Sequence, residues 1–128
     1  MRFFLIACTV LAAASTPASA SPEIHVRIAT VTDAAERAAH VELVKRSLRD
    51  VRAHSIDVVV TKLVVAANGE VSAKIDIVLS TAGGMRSLAS GTAAFVAQKH
   101  QLRNSSGLRR EALGHALEAL RRRVRPVS

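Results

Sequence analysis

Residues 55–97 constrain the fold most strongly, because they predict three β-strands joined by two tight turns. The clearest pattern belongs to the middle strand, where apolar side chains recur at every second position: Val71, Ala73, Ile75, Ile77 and Leu79. A period of two is typical of an antiparallel strand with one buried face and one face toward water. The Asn68-Gly69 pair before it predicts a type I′ hairpin turn, with positive φ at both residues.

The strand before this hairpin, residues 56–65, is apolar on both faces. One face carries Ile56, Val58 and Val60, and the other carries Val59, Leu63 and Val65. Such a strand is either central and covered on both faces, or interrupted by a bulge near Thr61 and Lys62. If nothing in the chain covers the second set, these three residues would mark a surface for a partner.

Two more strands are predicted on either side of this hairpin. Residues 85–96 follow a second turn signal at residues 81–84, and small residues alternate along them at Ser87, Ala89, Gly91 and Ala93. Small side chains would let a helix approach this strand closely. Near the amino terminus, an edge or near-edge strand is predicted from the alternation of Ile24, Val26 and Ile28 with polar residues.

A first helix is predicted over residues 34–52. Thr32 or Asp33 can cap it, and Glu36 occupies the position of a capping box relative to Asp33. Its apolar stripe consists of Ala34, Ala38, Val41, Val44, Leu48 and Val51. A stripe with spacings of three and four is expected to face a core.

A second helix is predicted over residues 108–124, capped by Ser105 or Ser106 and ended by Pro126. Its stripe consists of Leu113, Ala116, Leu117, Leu120 and Val124. Gly114 costs roughly 1 kcal/mol relative to alanine, which a close contact with the small-residue strand would compensate. The expected fold is α+β, a two-layer β-α-β-β-β-α domain whose mainly antiparallel sheet is covered on one face by two helices.

The first twenty residues predict a cleaved signal peptide, which leaves residues 21–128 as one small domain. Arg2 precedes an apolar run over residues 3–14, and Ala18-Ser19-Ala20 is a small-residue cleavage site. The alternative of a membrane anchor is disfavoured, since the run is shorter than the ~20 residues that span a bilayer. We therefore expect a periplasmic or secreted protein.

Cys8 is the only cysteine, so the predicted mature chain has none. Leu5-Ile6-Ala7-Cys8 also resembles a bacterial lipoprotein processing box, and a lipid on Cys8 is the minor alternative. It would leave only residues 3–7 as the apolar region, below the roughly 7 residues of a signal sequence. Without cysteine the mature domain must be held by its aliphatic core, and it has neither thiol nucleophiles nor cysteine metal ligands.

The order of elements resembles small periplasmic domains of curli-secretion lipoproteins and of the TolB amino terminus. The matching residues are the strand Ser55-Ile56-Asp57-Val58-Val59-Val60 and the hairpin segment at residues 73–83, followed by an Ala/Leu-rich helix. The aromatic positions typical of those domains are missing here. The resemblance implies an accessory or assembly role in the cell envelope and transfers no site residues.

The basic charge is concentrated in the last thirty residues. The formal net charge is +8, and residues 99–128 hold eight Lys and Arg against two Glu. The candidate anion-binding residues are Arg109, Arg110, Arg121, Arg122, Arg123 and Arg125. Arginines near a helix C-terminus also complement the helix dipole, which is the simpler explanation. The functional interpretation is a patch for anionic lipid, lipopolysaccharide or nucleic acid.

No motif in the sequence predicts catalysis, a metal or a cofactor. The five histidines lack zinc-ligand spacing and are expected on the surface, and the serines form neither a nucleophile elbow nor a Ser-x-x-Lys pair. Nucleic acid is disfavoured, because stacking aromatics and groove-reading motifs are missing and export removes the chain from the genome. The leading hypothesis is a non-catalytic interaction domain for an envelope or extracellular protein, through a sheet edge or the small-residue strand. The alternatives are a polyanion-binding protein and, more distantly, a small enzyme with a concave pocket.

Overall fold

The computed structural model describes residues 22–124. Its elements are β1 (Glu23–Ile28), α1 (Ala34–Ser47), β2 (Ser55–Val65), β3 (Glu70–Ser80), β4 (Arg86–Val96), a 3₁₀ helix (Lys99–Arg103) and α2 (Ser105–Val124). The predicted α+β class and the order β-α-β-β-β-α are confirmed. The predicted signal peptide with Cys8, and the tail residues Arg125 and Pro126, lie outside the described residues.

The four strands form one sheet in the order β1-β2-β3-β4. β1 runs parallel to β2, and the β2–β3 and β3–β4 pairs are antiparallel. Both helices cover the same face, with α1 packed on β1 and α2 packed on β4, β3 and β2. β1 is therefore one edge of the sheet and β4 is the other, so the predicted edge position of the first strand is confirmed.

The two apolar faces of β2 are explained by a bulge. The register with β3 shifts between Val60 and Lys62, at the site that the sequence offered as one of two alternatives. After the extra residue the faces exchange, so Leu63 joins Val60 on the helix-covered side and is only 1% exposed. Leu63 and the half-buried Val65 are thus covered by the chain itself, so the condition under which they would mark a surface for a partner is not met.

Both hairpins use a three-residue turn closed by a glycine. Gly69 and Gly84 have φ of 91° and 90°, and no other residue type has positive φ in the described chain. Each glycine N–H donates to the carbonyl three residues earlier, at Ala66 (2.9 Å) and Thr81 (3.0 Å). The hairpin at Asn68 is confirmed, but the type I′ prediction is wrong, because the bonding is that of a turn followed by a left-handed residue.

α1 ends earlier than predicted, at Ser47 rather than near residue 52. Asp33 caps it as expected, since its Oδ2 accepts from the Glu36 amide at 2.9 Å. Ala34 and Ala38 are exposed, whereas His40 is buried together with Val44. The stripe is rotated toward His40, so the prediction that all five histidines lie on the surface is wrong.

α2 carries the predicted stripe, and its inner face is completed by Leu108 and Ala112. Its cap is Asn104, not a serine, because the Asn104 Oδ1 accepts from the Gly107 amide at 3.0 Å. The close approach of sheet and helix occurs at Gly91 of β4, where a Cβ would lie 2.1 Å from the Ala116 carbonyl oxygen. Gly114 has open space around it, so the predicted contact of that glycine with the sheet is wrong.

The core lies between the sheet and the two helices and is aliphatic. Its fully buried large residues include Leu48 of the segment after α1, Ile56, Ile75 and Ile77 of the sheet, and Leu113, Leu117 and Leu120 of α2. Phe95 is half-buried at the rim, edge-on to the His115 ring with centroids 6.2 Å apart. The opposite face of the sheet has no element over it within residues 22–124.

Candidate interaction surface

The free edge of β4 presents a row of backbone groups that the sheet does not use. Two bonds at the ends of this hairpin establish which residues of β4 bond to β3. They run from Thr81 N to Met85 O (2.9 Å) and from Ala97 N to Gly69 O (2.7 Å). The odd-numbered residues of β4 therefore bond to β3, and the even-numbered residues point their N–H and C=O groups outward. Within residues 22–124 no hydrogen bond engages those outward groups, which belong to Leu88, Ser90, Thr92, Ala94 and Val96.

This edge lacks the features by which proteins protect sheet edges. Its pairing with β3 continues without a bulge from Arg86 to Val96, and residues 87–96 contain no charged residue and no proline. Edge strands are normally interrupted by charges, prolines or bulges, because an open edge of this length can pair with another strand. The strand also exposes large apolar side chains, with Leu88 80% and Val96 75% exposed.

A groove of about 590 Å³ runs between this edge and α2. One wall consists of residues 92–95 of β4. The other wall is a stripe on the outer side of α2, formed by Glu111, His115, Glu118 and Arg122. Within the helix, His115 lies 3.9 Å from Glu111 and Arg122 lies 3.5 Å from Glu118. All four side chains are more than half exposed, so they are accessible to a molecule that lies along β4.

The uncovered face of the sheet is mixed in character. Cross-strand neighbours in the register place His25 beside Asp57, and Arg27 in a row with Val59 and Asp76. Val64, on the same face, is 43% exposed. Charged and apolar residues alternate here without a continuous apolar patch away from β4, so the edge strand is the better candidate for binding a partner.

A partly buried polar cluster joins the two helices. The Arg109 guanidinium donates to both Glu36 oxygens at 2.5 Å, and the His40 Nδ1 lies 3.9 Å from Glu36 Oε2. The hydrogen bonds from Arg109 lower the pKa of Glu36, and burial lowers the pKa of His40. His40 is 1% exposed, and its Nδ1 has no hydrogen-bond partner in the described chain. The cluster therefore fixes α1 against α2.

The candidate anion-binding arginines do not form one patch. Arg109 is hydrogen-bonded to Glu36. Arg121 lies further along α2, about 18 Å from Arg109 at a rise of about 1.5 Å per residue. Arg121 bonds Asp50 at 2.8 Å, Arg122 lies near Glu118, and Arg110 and Arg123 form no ion pair in the described chain. The C-terminal turn of α2 is the only part of the set where adjacent arginines are gathered and exposed among the described residues.

The described residues contain no cluster of three or more potential metal ligands. None of their helices is long and apolar enough to cross a membrane. Sequence reasoning missed the polar stripe of α2 that faces the groove. Its signal was present in the spacing of four, three and four residues from Glu111 to Arg122, on the side away from the apolar stripe.

No protein-family model matches the chain, and no curated protein matches it.

Proposed function

We propose that this protein is an exported, non-catalytic interaction domain that binds its partner by strand addition at the free edge of β4. The observation that carries the proposal is the uninterrupted edge of β4, whose outward backbone groups have no partner within residues 22–124. Strand addition uses those groups for affinity and uses neighbouring side-chain pockets for specificity. The groove beside α2 supplies such a pocket, and the predicted signal peptide directs the domain to the envelope or beyond.

A photocrosslinking experiment in the producing cell tests this proposal. A diazirine amino acid at exposed Ala94, on the β4 edge, should yield a defined adduct. The same probe at exposed Ala39, on the outer side of α1, serves as the matched control and should yield none. Adding Thr92→Pro should abolish the adduct, because proline removes an outward N–H without breaking the bonds between β4 and β3.

An adduct at Ala94 that survives Thr92→Pro, or equal labelling at Ala94 and Ala39, would contradict strand addition. Circular dichroism of the Thr92→Pro variant must show the native spectrum for the comparison to count. The proline is expected to be tolerated, because Thr92 is an outward-pointing position on an edge strand.

A second candidate function is the binding of polyanionic surfaces by the C-terminal end of α2. It is favoured by the exposure of Arg121, Arg122 and Arg123 on successive positions, with no acidic residue in that turn. The partner would be an anionic lipid or lipopolysaccharide surface, and binding would weaken with salt as exposed charges are screened.

The test is binding to heparin and to vesicles that contain an anionic lipid, at low and at high salt. Replacing Arg121, Arg122, Arg123 and Arg125 together by Gln should abolish binding. The matched control removes the same charge elsewhere, by changing the exposed Arg27, Arg46, Arg49 and Arg52 to Gln. If both variants lose binding equally, attraction follows net charge and the site is not at the end of α2.

A further inference from the structure

We propose that the partner at the β4 edge is a second copy of this chain, paired antiparallel about a two-fold axis at Thr92. This inference rests on the proposed function, because it names the occupant of the same edge. The two four-stranded sheets would then join into one continuous sheet, with both pairs of helices on the same side. A two-fold arrangement brings the same surface of both copies together, so that surface must be complementary to itself. Three features of the β4 edge meet this requirement.

The first feature is the register of apolar side chains. With Thr92 on the axis, residue 88 of one copy faces residue 96 of the other, because the numbers of paired residues have a constant sum in an antiparallel ladder. Leu88 and Val96 are the two most exposed large apolar residues of β4. In this pairing Leu88 of each copy covers Val96 of the other, so the contact occurs twice in the dimer. A cross-strand apolar pair of this kind stabilises a sheet.

The second feature is the charge pattern on α2. α2 follows β4 and runs back along it, since Phe95 lies beside His115 and Gly91 lies beneath Ala116 and Leu120. The two copies of α2 would therefore be antiparallel across the axis. In that arrangement Glu111 faces Arg122 of the second copy, and His115 faces its Glu118. The centre of this stripe lies between residues 115 and 118, above Gly91 next to Thr92.

The third feature is the space available for the two helices. Strands are about 4.8 Å apart, so a helix above the β3–β4 pair would lie about 10 Å from its symmetry mate. Helices in contact are typically about 8–10 Å apart, so the two α2 helices would touch through the groove-lining stripe. The groove of about 590 Å³ beside each β4 would be closed by the second copy.

Charge reversal with rescue tests the helix contact. The purified protein should sediment as a dimer whose dissociation constant weakens about tenfold on Arg122→Glu, since two glutamates then face each other twice. The double variant Glu111→Arg, Arg122→Glu should recover most of this affinity. Within one helix the double variant still places a carboxylate at position 122 beside Glu118, so recovery can come only from the contact between copies.

Cysteine pairing tests the register, in a Cys8→Ser background that leaves no other cysteine. Thr92→Cys should oxidise to a covalent dimer, because hydrogen-bonded cross-strand Cα atoms are about 5.5 Å apart, within the range of a disulfide. Ser90→Cys alone should not link, since the two copies of residue 90 would be offset by about 14 Å along the strands. A mixture of Ser90→Cys and Ala94→Cys chains should link, because these positions face each other.

A protein that remains monomeric at high micromolar concentration overturns the inference. So does a dimer that is insensitive to Arg122→Glu, or one that links through Ser90→Cys alone. A monomer that still gives the Ala94 adduct with a different protein leaves the proposed function standing and identifies another occupant. Loss of both the dimer and the adduct removes both proposals.

Discussion

Two glycines in neighbouring elements have opposite roles at the level of single residues. A Cβ at Gly91 would lie 2.1 Å from the backbone oxygen of Ala116 and 3.0 Å from the Cβ of Leu120, so sheet and helix would have to separate. We expect Gly91→Ala to destabilise the protein by about 1–3 kcal/mol, the usual cost of overpacking. Gly114→Ala should instead stabilise it by about 1 kcal/mol, because the helix gains an alanine in open space. Urea unfolding of the two variants measures both effects, and equal signs would contradict this packing.

The partly buried cluster between the helices predicts two steps of acid destabilisation. Burial keeps the pKa of His40 below its usual value of 6.5, and Arg109 keeps the pKa of Glu36 below 4.5. The unfolded chain therefore binds more protons as the pH falls, and stability should decline first below about pH 6.5 and again below about pH 4.5. The measurement is the free energy of unfolding as a function of pH.

Single substitutions assign the two steps. His40→Gln should remove the decline that begins near pH 6.5 and leave the more acidic one, whereas Glu36→Gln should remove the more acidic one. The positive charges of Arg109 and Arg110 also disfavour protonation of His40. The decline in stability that begins near pH 6.5 should therefore become smaller when Arg110 becomes Gln. A pH profile unchanged by His40→Gln would contradict the assignment.

The bulge in β2 determines, at the level of elements, which of two adjacent residues belongs to the core. Leu63 is 1% exposed beneath the helices, while its neighbour Val64 is 43% exposed on the other face. Leu63→Ala should cost about 2–5 kcal/mol, as truncation of a buried leucine does. Val64→Ala should cost no more than about 1 kcal/mol, the span of strand propensity. Chemical denaturation of the two variants distinguishes this register from one without the bulge, in which the order would be reversed.

The elements predictable from the sequence are those with local causes. The period of two in β3 and the apolar stripe of α2 predicted where these two elements lie, because each pattern depends only on residues a few positions apart. His40 and Arg109 could not be placed from the sequence, since the partner of Arg109 is Glu36, 73 residues earlier in the chain. The sequence predicted a close helix approach along the small-residue strand, but not that Gly91 is the point of contact, because that depends on where α2 crosses the sheet. The edge of β4 follows from strand order, which alternation along one strand does not encode.

The layout of the whole molecule separates a neutral sheet edge from a basic helix end. Residues 87–96 of β4 carry no charge, whereas Arg121, Arg122 and Arg123 follow one another at the end of α2. The two proposed binding modes share Arg122, which lines the groove beside β4, but they otherwise use different surfaces. Strand addition at β4 should weaken less with added salt than anion binding does, because backbone hydrogen bonds and apolar contacts are screened little.

The predicted compartment determines which partners the β4 edge can meet, and processing of the chain tests it. The small residues Ala18 and Ala20 predict cleavage before Ser21, so the exported protein should begin at Ser21 and lack Cys8. Mass spectrometry of the protein recovered from the periplasm or medium measures its amino terminus directly. Cys8→Ser should leave both the mass and the location unchanged, whereas Ala20→Arg should cause the uncleaved precursor to accumulate. A mature chain that begins at a lipid-modified Cys8 would contradict this prediction and would tether the β4 edge to a membrane surface.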